Sequence, residues 1–272
     1  MVAMKGSYHG KSMGALSLTF NPKYRESFQP LVEKVSFSSY GDIDELRNTV
    51  DKDTAFVILE PIQGESGIHV PSDSFLQDVR KLCDENKILL IFDEIQSGLG
   101  RTGSMWAADH WKTVPDIMCV AKGIAGGIPM GVTLVRPDIL SVMKKGEHSS
   151  TFGGNPLSCA AGTATIQALT QDGLIENAKN MGLKFRLGLD ELKDKHRIIR
   201  EVRGKGLMIG VELKFEVKDI LMEGIKNGLL LLYSGRNILR FLPPLVISEE
   251  DITKTLKILD ELLTNEEARR NV

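Results

Sequence analysis

Short apolar runs alternate with amphipathic stretches over the first half of the chain. Thr54 to Leu59 (TAFVIL), Ile88 to Phe92 and Ile117 to Ala121 are continuously apolar, and Gly131 to Val135 is a further such run. Continuous rather than alternating apolar character predicts strands buried on both faces, hence a mostly parallel sheet covered by helices. Between the first two runs, Phe75, Leu76, Val79, Leu82 and Cys83 recur at helical spacing, with Ser72 as the expected N-cap. Asp42 to Val50 predicts a short helix with Ile43, Leu46 and Val50 inward, and Met105 to Trp111 another. The opening MVAMKGSYHG reads as a strand end running into a glycine loop, and Asn21 to Ser39 as loop with short elements.

The second half changes pattern. Asn155 can cap a long helix with Pro156 in its first turn and small residues Ser158, Ala160, Ala161, Gly162 and Ala164 behind them. Gly173 breaks it, and a second helix runs from Leu174 to about Lys195. Strands are expected at Ile198 to Val202, Leu207 to Leu213, Leu229 to Tyr233 and Ile238 to Phe241, with one helix among them. A last helix starts at Ser248, with Asp251 completing a capping box, and turns Ile252, Leu256, Leu259 and Leu263 inward. The expected division is a large domain over 1–172 and a smaller α+β domain over 173–272.

Composition narrows the class. With 34 basic and 36 acidic residues the net charge is −2, which argues against nucleic acid or an acidic membrane surface as the main partner. Cys83, Cys119 and Cys159 are few, odd in number and set in apolar contexts, which points to reduced thiols and a cytoplasmic location. No run is long and apolar enough for a membrane span, no histidine or cysteine spacing suits a metal, and the start does not read as a signal peptide. The P-loop, the dinucleotide fingerprint and the G-x-S-x-G elbow of serine hydrolases are all missing, despite the glycine-rich SGLGRTG and GIAGGIPMG.

Charged residues at the ends of apolar runs carry the chemistry. Glu60, Asp93 and Lys122 each follow such a run, where ligands of parallel sheets gather. Most lysines are surface groups, but Lys122 lies between IMCVA and GIAGG, with no evident solvated face. A desolvated ammonium loses its proton more readily and becomes a nucleophile suited to a Schiff base with an aldehyde. Asp93 could cap a helix, join a structural ion pair, or hold a pyridinium nitrogen; Glu94 beside it should point away and be structural.

EPIQGESG (Glu60 to Gly67), IFDEIQSGLGRTG (Ile91 to Gly103), PDIMCVAKGIAGGIPMG (Pro115 to Gly131), STFGGNP (Ser150 to Pro156) and RFLPPL (Arg240 to Leu245) stand in order, after YHGKSMGALSLT near the start. Together they resemble the class III aminotransferases, the ω-amino group that acts on acetylornithine, ornithine and 4-aminobutyrate. The resemblance covers essentially the whole chain and implies the type I pyridoxal-phosphate fold. It implies that Lys122 bonds the aldehyde of pyridoxal 5'-phosphate and shuttles a proton, that Asp93 holds the pyridine nitrogen, and that Gln96 bonds the phenolic oxygen. Ile95 and Tyr8 would face the ring, with His9 beside them, while Ser150 and Thr151 would reach the cofactor of a neighbouring subunit, so a homodimer with shared sites is expected. Arg240 would bind the α-carboxylate of glutamate or 2-oxoglutarate, and Glu65 would pair with Arg240 to mask it when an ω-amino substrate binds. Glu60 and Lys11 complete the expected substrate residues. Lys11 stands where ornithine-type relatives often have arginine, which keeps the charge but loses the bidentate fork. The serine/glycine phosphate loop that precedes these motifs in the family has no counterpart here, so an N-terminally incomplete chain is expected. The expected reaction moves a terminal amino group to 2-oxoglutarate. The rival readings are a racemase, mutase or decarboxylase on the same scaffold, or a non-catalytic chain of that fold.

Overall fold

The computed structural model describes residues 1–271. Six strands form the first sheet: β1 (Val2–Met4), β2 (Ser36–Ser38), β3 (Phe56–Leu59), β4 (Leu89–Asp93), β5 (Ile117–Val120) and β6 (Val132–Val135), in the order β2-β1-β3-β4-β5-β6. Neighbouring strands from β2 through β5 are parallel, and β6 returns antiparallel on β5. The link from β5 to β6 is too short for a crossover helix, so the chain reverses and β6 becomes an edge.

Helices α1 (Met13–Leu18), α2 (Pro22–Arg25), α3 (Ile43–Thr49), α4 (Phe75–Asn86) and α5 (Pro137–Leu140) interleave with these strands. Of the expected first-half helices, α3 begins at Asp42, whose side chain accepts the Glu45 N–H. The α4 cap is not Ser72. It is Ser74, whose side chain makes no cap bond, while the Ser72 carbonyl accepts the Phe75 N–H in the turn before the helix. The expected Met105–Trp111 helix is reduced to a 3-10 turn over Ala107–Trp111. Phe75, Leu76, Val79, Leu82 and Cys83 bury against Val57, Leu59, Leu90 and Phe92, which fixes α4 across one face of the sheet.

Helix α6 (Pro156–Gln171) is capped by Asn155, which accepts the Ser158 N–H at 2.9 Å. Its small residues admit a close approach: a Cβ on Gly162 would lie 3.2 Å from the Met130 sulfur. It packs on the 3-10 turn that opens at Lys122 (Lys122–Ala125). After Gly173, α7 (Leu174–Lys195) leads to a four-stranded antiparallel sheet of β7 (Ile199–Lys205), β8 (Met208–Leu213), β9 (Leu232–Ser234) and β10 (Ile238–Phe241), ordered β7-β8-β10-β9. Helices α8 (Lys218–Lys226) and α9 (Glu249–Arg270) complete this lobe, and the expected Ser248–Asp251 capping box is present. Strand β9 begins later than the apolar run LLLLY suggests, because the run first serves the turn after α8. Phe185, Leu189, Ile209, Val211, Leu239, Leu259 and Leu263 form the core between the second sheet and its helices.

Candidate active site

Three neighbouring parallel strands end on chemistry. Glu60 follows β3, Asp93 closes β4, and Lys122 follows β5 after one residue. Strand register places Asp93 opposite Cys119, so the three ends lie side by side. Lys122 itself has φ +48°, in the left-handed region, as do Lys34, Lys87 and Lys112.

Asp93 and His9 are both buried, with His9 Nδ1 2.8 Å from Asp93 Oδ2. The other oxygen of Asp93 accepts the Ile95 N–H at 3.1 Å. The far nitrogen of His9, Nε2, is buried without a partner among the described residues. Glu60 is also buried. One of its oxygens accepts the Tyr8 N–H at 3.1 Å and the other the Gly64 N–H at 3.0 Å. Burial, opposed by His9 and aided by Asp93, raises its carboxyl to about 7. Glu94 points into the protein as expected, accepting Ser97 Oγ–H at 2.6 Å and the Ala108 N–H at 2.8 Å, and burial raises it to about 7 as well.

Lys122 is exposed on this chain rather than enclosed. Gly123 and Gly126 beside it are exposed, so the flanking sequence overstates its isolation. Burial still lowers its pKa, against the pull of Glu65, Glu60 and Asp93. Its ammonium makes no hydrogen bond among the described residues.

Glu65 and Arg240 meet at 2.6 Å. Ser234 Oγ donates to the Glu65 carbonyl, fixing the loop on which the carboxylate stands. Gln96 Nε2 lies 3.5 Å from Glu65 Oε1, and the other end of that amide is buried without a partner among the described residues. Gly64 gives Gln96 room to lie here: a Cβ there would sit 2.1 Å from Gln96 Oε1 and push that side chain aside.

A pocket of about 100 Å³ is lined by Tyr8, His9, Glu60, Asp93, Ile95 and Lys122, among others. It shares Glu65, Ile95, Gln96 and Lys122 with a cavity of about 680 Å³ that reaches Arg240 and Arg101. Eight of the expected site residues therefore gather at the strand ends, and Arg240 reaches them from the second sheet. Lys11, Ser150 and Thr151 do not join them. Lys11 is exposed, its ammonium 5.5 Å from the Tyr24 ring, and lines neither cavity. Ser150 and Thr151 are exposed next to Phe152, which is 81% exposed.

Three contributors lie outside what the sequence reveals. Gly64 and Ser234 act through contacts to distant residues, which no local pattern encodes. Arg101 sits in GLGRTG, which reads only as a glycine loop; the available signal is a lone charge within an otherwise uncharged run.

Known proteins resemble this chain in sequence and fold. The family model "Aminotransferase class-III" matches residues 1–263. An acetylornithine aminotransferase of Caldanaerobacter subterraneus is 44% identical over 265 residues, covering 97% of this chain and 67% of the relative. An ornithine aminotransferase of Staphylococcus saprophyticus is 40% identical, with 97% and 66% covered. An ornithine aminotransferase structure from Toxoplasma gondii, described as showing partial PLP occupancy at the active site, superposes with a TM-score of 0.95 at 33% identity, covering 100% of this chain and 65% of that one. The chain thus spans about two thirds of the length of these relatives. With the motifs in order, the strand-end site and these similarities in agreement, the chain belongs to the class III aminotransferases.

Proposed function

We propose that this chain carries the catalytic half-site of a pyridoxal-phosphate-dependent aminotransferase that moves a terminal amino group, from acetylornithine, ornithine or a similar donor, to 2-oxoglutarate. The observation that carries this reading is one pocket lined by Asp93, Gln96 and Lys122, opening onto the Glu65–Arg240 pair. The donor set fits the pyridine ring of the cofactor. Asp93 is a buried carboxylate for a ring nitrogen, Gln96 has a free amide end for a phenolic group, and Tyr8 and Ile95 supply faces beside them. When bound, pyridoxal phosphate supplies an aldehyde that captures amino groups and a ring that withdraws electrons from the adjoining carbon.

The chain's own residues do the rest. Lys122 has a lowered pKa and a free Nζ, so it can accept and return a proton within the pocket. His9 orients Asp93, and Glu60 ties the Tyr8 and Gly64 backbones together so that the ring-facing side chain and Glu65 keep their places. Glu65 neutralises Arg240, so one cavity can accept a substrate end without a carboxylate; moving Glu65 aside frees the guanidinium for the carboxylate of 2-oxoglutarate. That switch favours transamination over racemase, mutase or decarboxylase chemistry, which needs no second substrate. In this reading Ser150 and Thr151, exposed on this chain, complete the site of a second copy in a cytoplasmic homodimer.

The test is direct. Adding pyridoxal phosphate to the chain should produce a visible absorbance band that Lys122→Ala lacks, and glutamate should convert the band to that of the amine form. A chain that shows no band at saturating cofactor would sink the proposal.

A further inference from the structure

Four charged residues line the larger cavity: Glu65, Arg101, Lys122 and Arg240. Three are accounted for, since Glu65 is paired with Arg240 and Lys122 faces the cofactor pocket. Arg101 is not. No carboxylate pairs with it among the described residues. Burial lowers its guanidinium to about 10, which leaves it charged at neutral pH. A cation held away from water without a counter-charge is costly, and a protein keeps one where an anion arrives.

Its geometry is fixed from one side. Arg101 Nη1 donates to the Leu207 carbonyl at 3.3 Å and the Pro243 carbonyl at 2.5 Å. The Leu207 N–H donates back to the Arg101 carbonyl at 3.0 Å. The two backbones touch here, because a Cβ on Gly206 would lie 2.3 Å from the Thr102 carbonyl carbon. The other edge of the guanidinium, Nε and Nη2, has no protein partner among the described residues. Neither atom is fully buried, and Arg101 lines the larger cavity. A rigidly held guanidinium with a free Nε/Nη2 edge is the bidentate fork that carboxylates fit.

The cavity that Arg101 and Lys122 share is otherwise largely aliphatic, with Leu99, Leu169, Leu174, Leu242 and Leu245 in its lining. Such a wall suits a methylene chain. Lys11, the residue expected to take a substrate carboxylate, lies outside both cavities. While Glu65 masks Arg240, a donor whose reacting amine lies at the far end from its carboxylate has one unpaired guanidinium left in the cavity.

We propose that Arg101 is a carboxylate-binding residue, taking the carboxylate of an ω-amino acid substrate whose methylene chain lies along the leucine wall and whose amine points to Lys122. This rests on the transaminase reading for the direction of the substrate, but its test needs neither turnover nor cofactor. Calorimetric titration of the cofactor-free chain with 5-aminopentanoate, and with pentylamine as the probe lacking a carboxylate, reads the contact directly. Arg101→Met should weaken 5-aminopentanoate about tenfold, the loss of one charge-assisted contact, and leave pentylamine unchanged. Should Arg101→Met melt at a lower temperature than the parent's working range, Arg101→Lys, which keeps the charge without the fork, should still show a loss of about threefold. The proposal is overturned by a folded Arg101 variant that binds 5-aminopentanoate as the parent does, by an equal loss of pentylamine binding in that variant, or by a parent chain that does not bind 5-aminopentanoate. The absorbance band of the Lys122 site can form or fail independently of each result, so the two readings fall separately.

Discussion

In the parallel sheet, Glu60, Asp93 and Glu94 are buried side by side, and each rests on a backbone N–H. In the antiparallel sheet the buried-side carboxylate, Glu212, sits 2.8 Å from both Arg200 and Arg203 and answers charge with charge. His196 likewise lies 2.6 Å from Asp260 and 2.9 Å from Glu267. Backbone donors fix a carboxylate's position without neutralising it, which leaves it available to a ligand. Ion pairs neutralise it and leave it only a structural part. The strand ends of the first lobe therefore hold carboxylates with no Arg or Lys partner among the described residues, although its buried Asp116 is paired with Arg80 and Arg136, whereas Glu212 and His196 of the second lobe are paired internally and Arg240 is lent to the site.

The sharpest break of this contrast is at Asp93. Asp93→Asn keeps the size and the loop bond but removes the charge offered to a ring nitrogen. Glutamate-dependent conversion of added pyridoxal phosphate should fall by about 100-fold or more, as expected for losing a preorganised charge at the reacting group. His9→Ala, which removes only the orienting partner, should cost less in the same assay. Equal losses would mean that His9 acts on the cofactor itself.

Next in size is a stability effect of opposite sign in the two lobes. Glu60 and Glu94 have folded pKa values near 7, above the ordinary 4.5. For a raised carboxyl the folded state holds the proton longer, so stability is full below about 4.5 and is lost as pH rises toward 7. Together they should lower the unfolding free energy by a few kcal/mol, on the order of 1.4 kcal/mol for each tenfold rise in a carboxyl's proton affinity. Glu212 runs the other way. Burial opposes it, but Arg203 and Arg200 hold its pKa below the ordinary value, so its contribution is present above 4.5 and is lost on acidification. Denaturant unfolding from about pH 5 to about pH 7.5 should show a declining free energy whose slope flattens in Glu94→Gln and is unchanged in Glu212→Gln.

How far the sequence reveals this contrast depends on range. The strand ends are legible because Asp93 and Lys122 interrupt apolar runs, and a charge after such a run has few structural reasons to be there. The helix faces of α4 and α9 are legible because periodicity is local. The α4 cap is not, because Ser72, Asp73 and Ser74 all have capping side chains, and the tertiary position of Phe75 decides between them. The reversal into β6 depends on how much chain the next crossover has available. The His9–Asp93 contact joins residues 84 apart, and the Arg101–Pro243 contact residues 142 apart. No spacing rule reaches that far, so the family resemblance supplies the roles of Tyr8, Gln96 and Arg240, and it supplies none for Arg101.

Gly64 tests whether the first lobe's readiness depends on tight packing. Gly64→Ala must push Gln96 aside, because its Cβ would lie 2.1 Å from Gln96 Oε1. Overpacking of this kind costs about 1–3 kcal/mol. Part of that cost can be avoided by turning Gln96 outward, which would break its contact with Glu65. The variant should therefore lose less stability than a rigid core site would, and should lose discrimination between donors with and without a carboxylate, read as the ratio of their kcat/KM values.

The smallest effect belongs to the second lobe's surface pairs, and it decides whether their number matters. Arg200 is 58% exposed and shares Glu212 with the more enclosed Arg203, whose side chain also donates to the Gly67 carbonyl at 2.8 Å, across the lobes. Removing Arg200 leaves Glu212 paired, so Arg200→Gln should cost about 0.5 kcal/mol or less by chemical denaturation, the usual worth of an exposed ion pair. Arg203→Gln removes the partner that both neutralises Glu212 and anchors the Gly67 turn, and should cost several times more. If the two costs are equal, the network acts as one unit and the second lobe's charges are less self-contained than their pairing suggests. If they differ as stated, Arg203 is the one member of the network that also serves the site, because the Gly67 turn closes the EPIQGESG loop that carries Glu65.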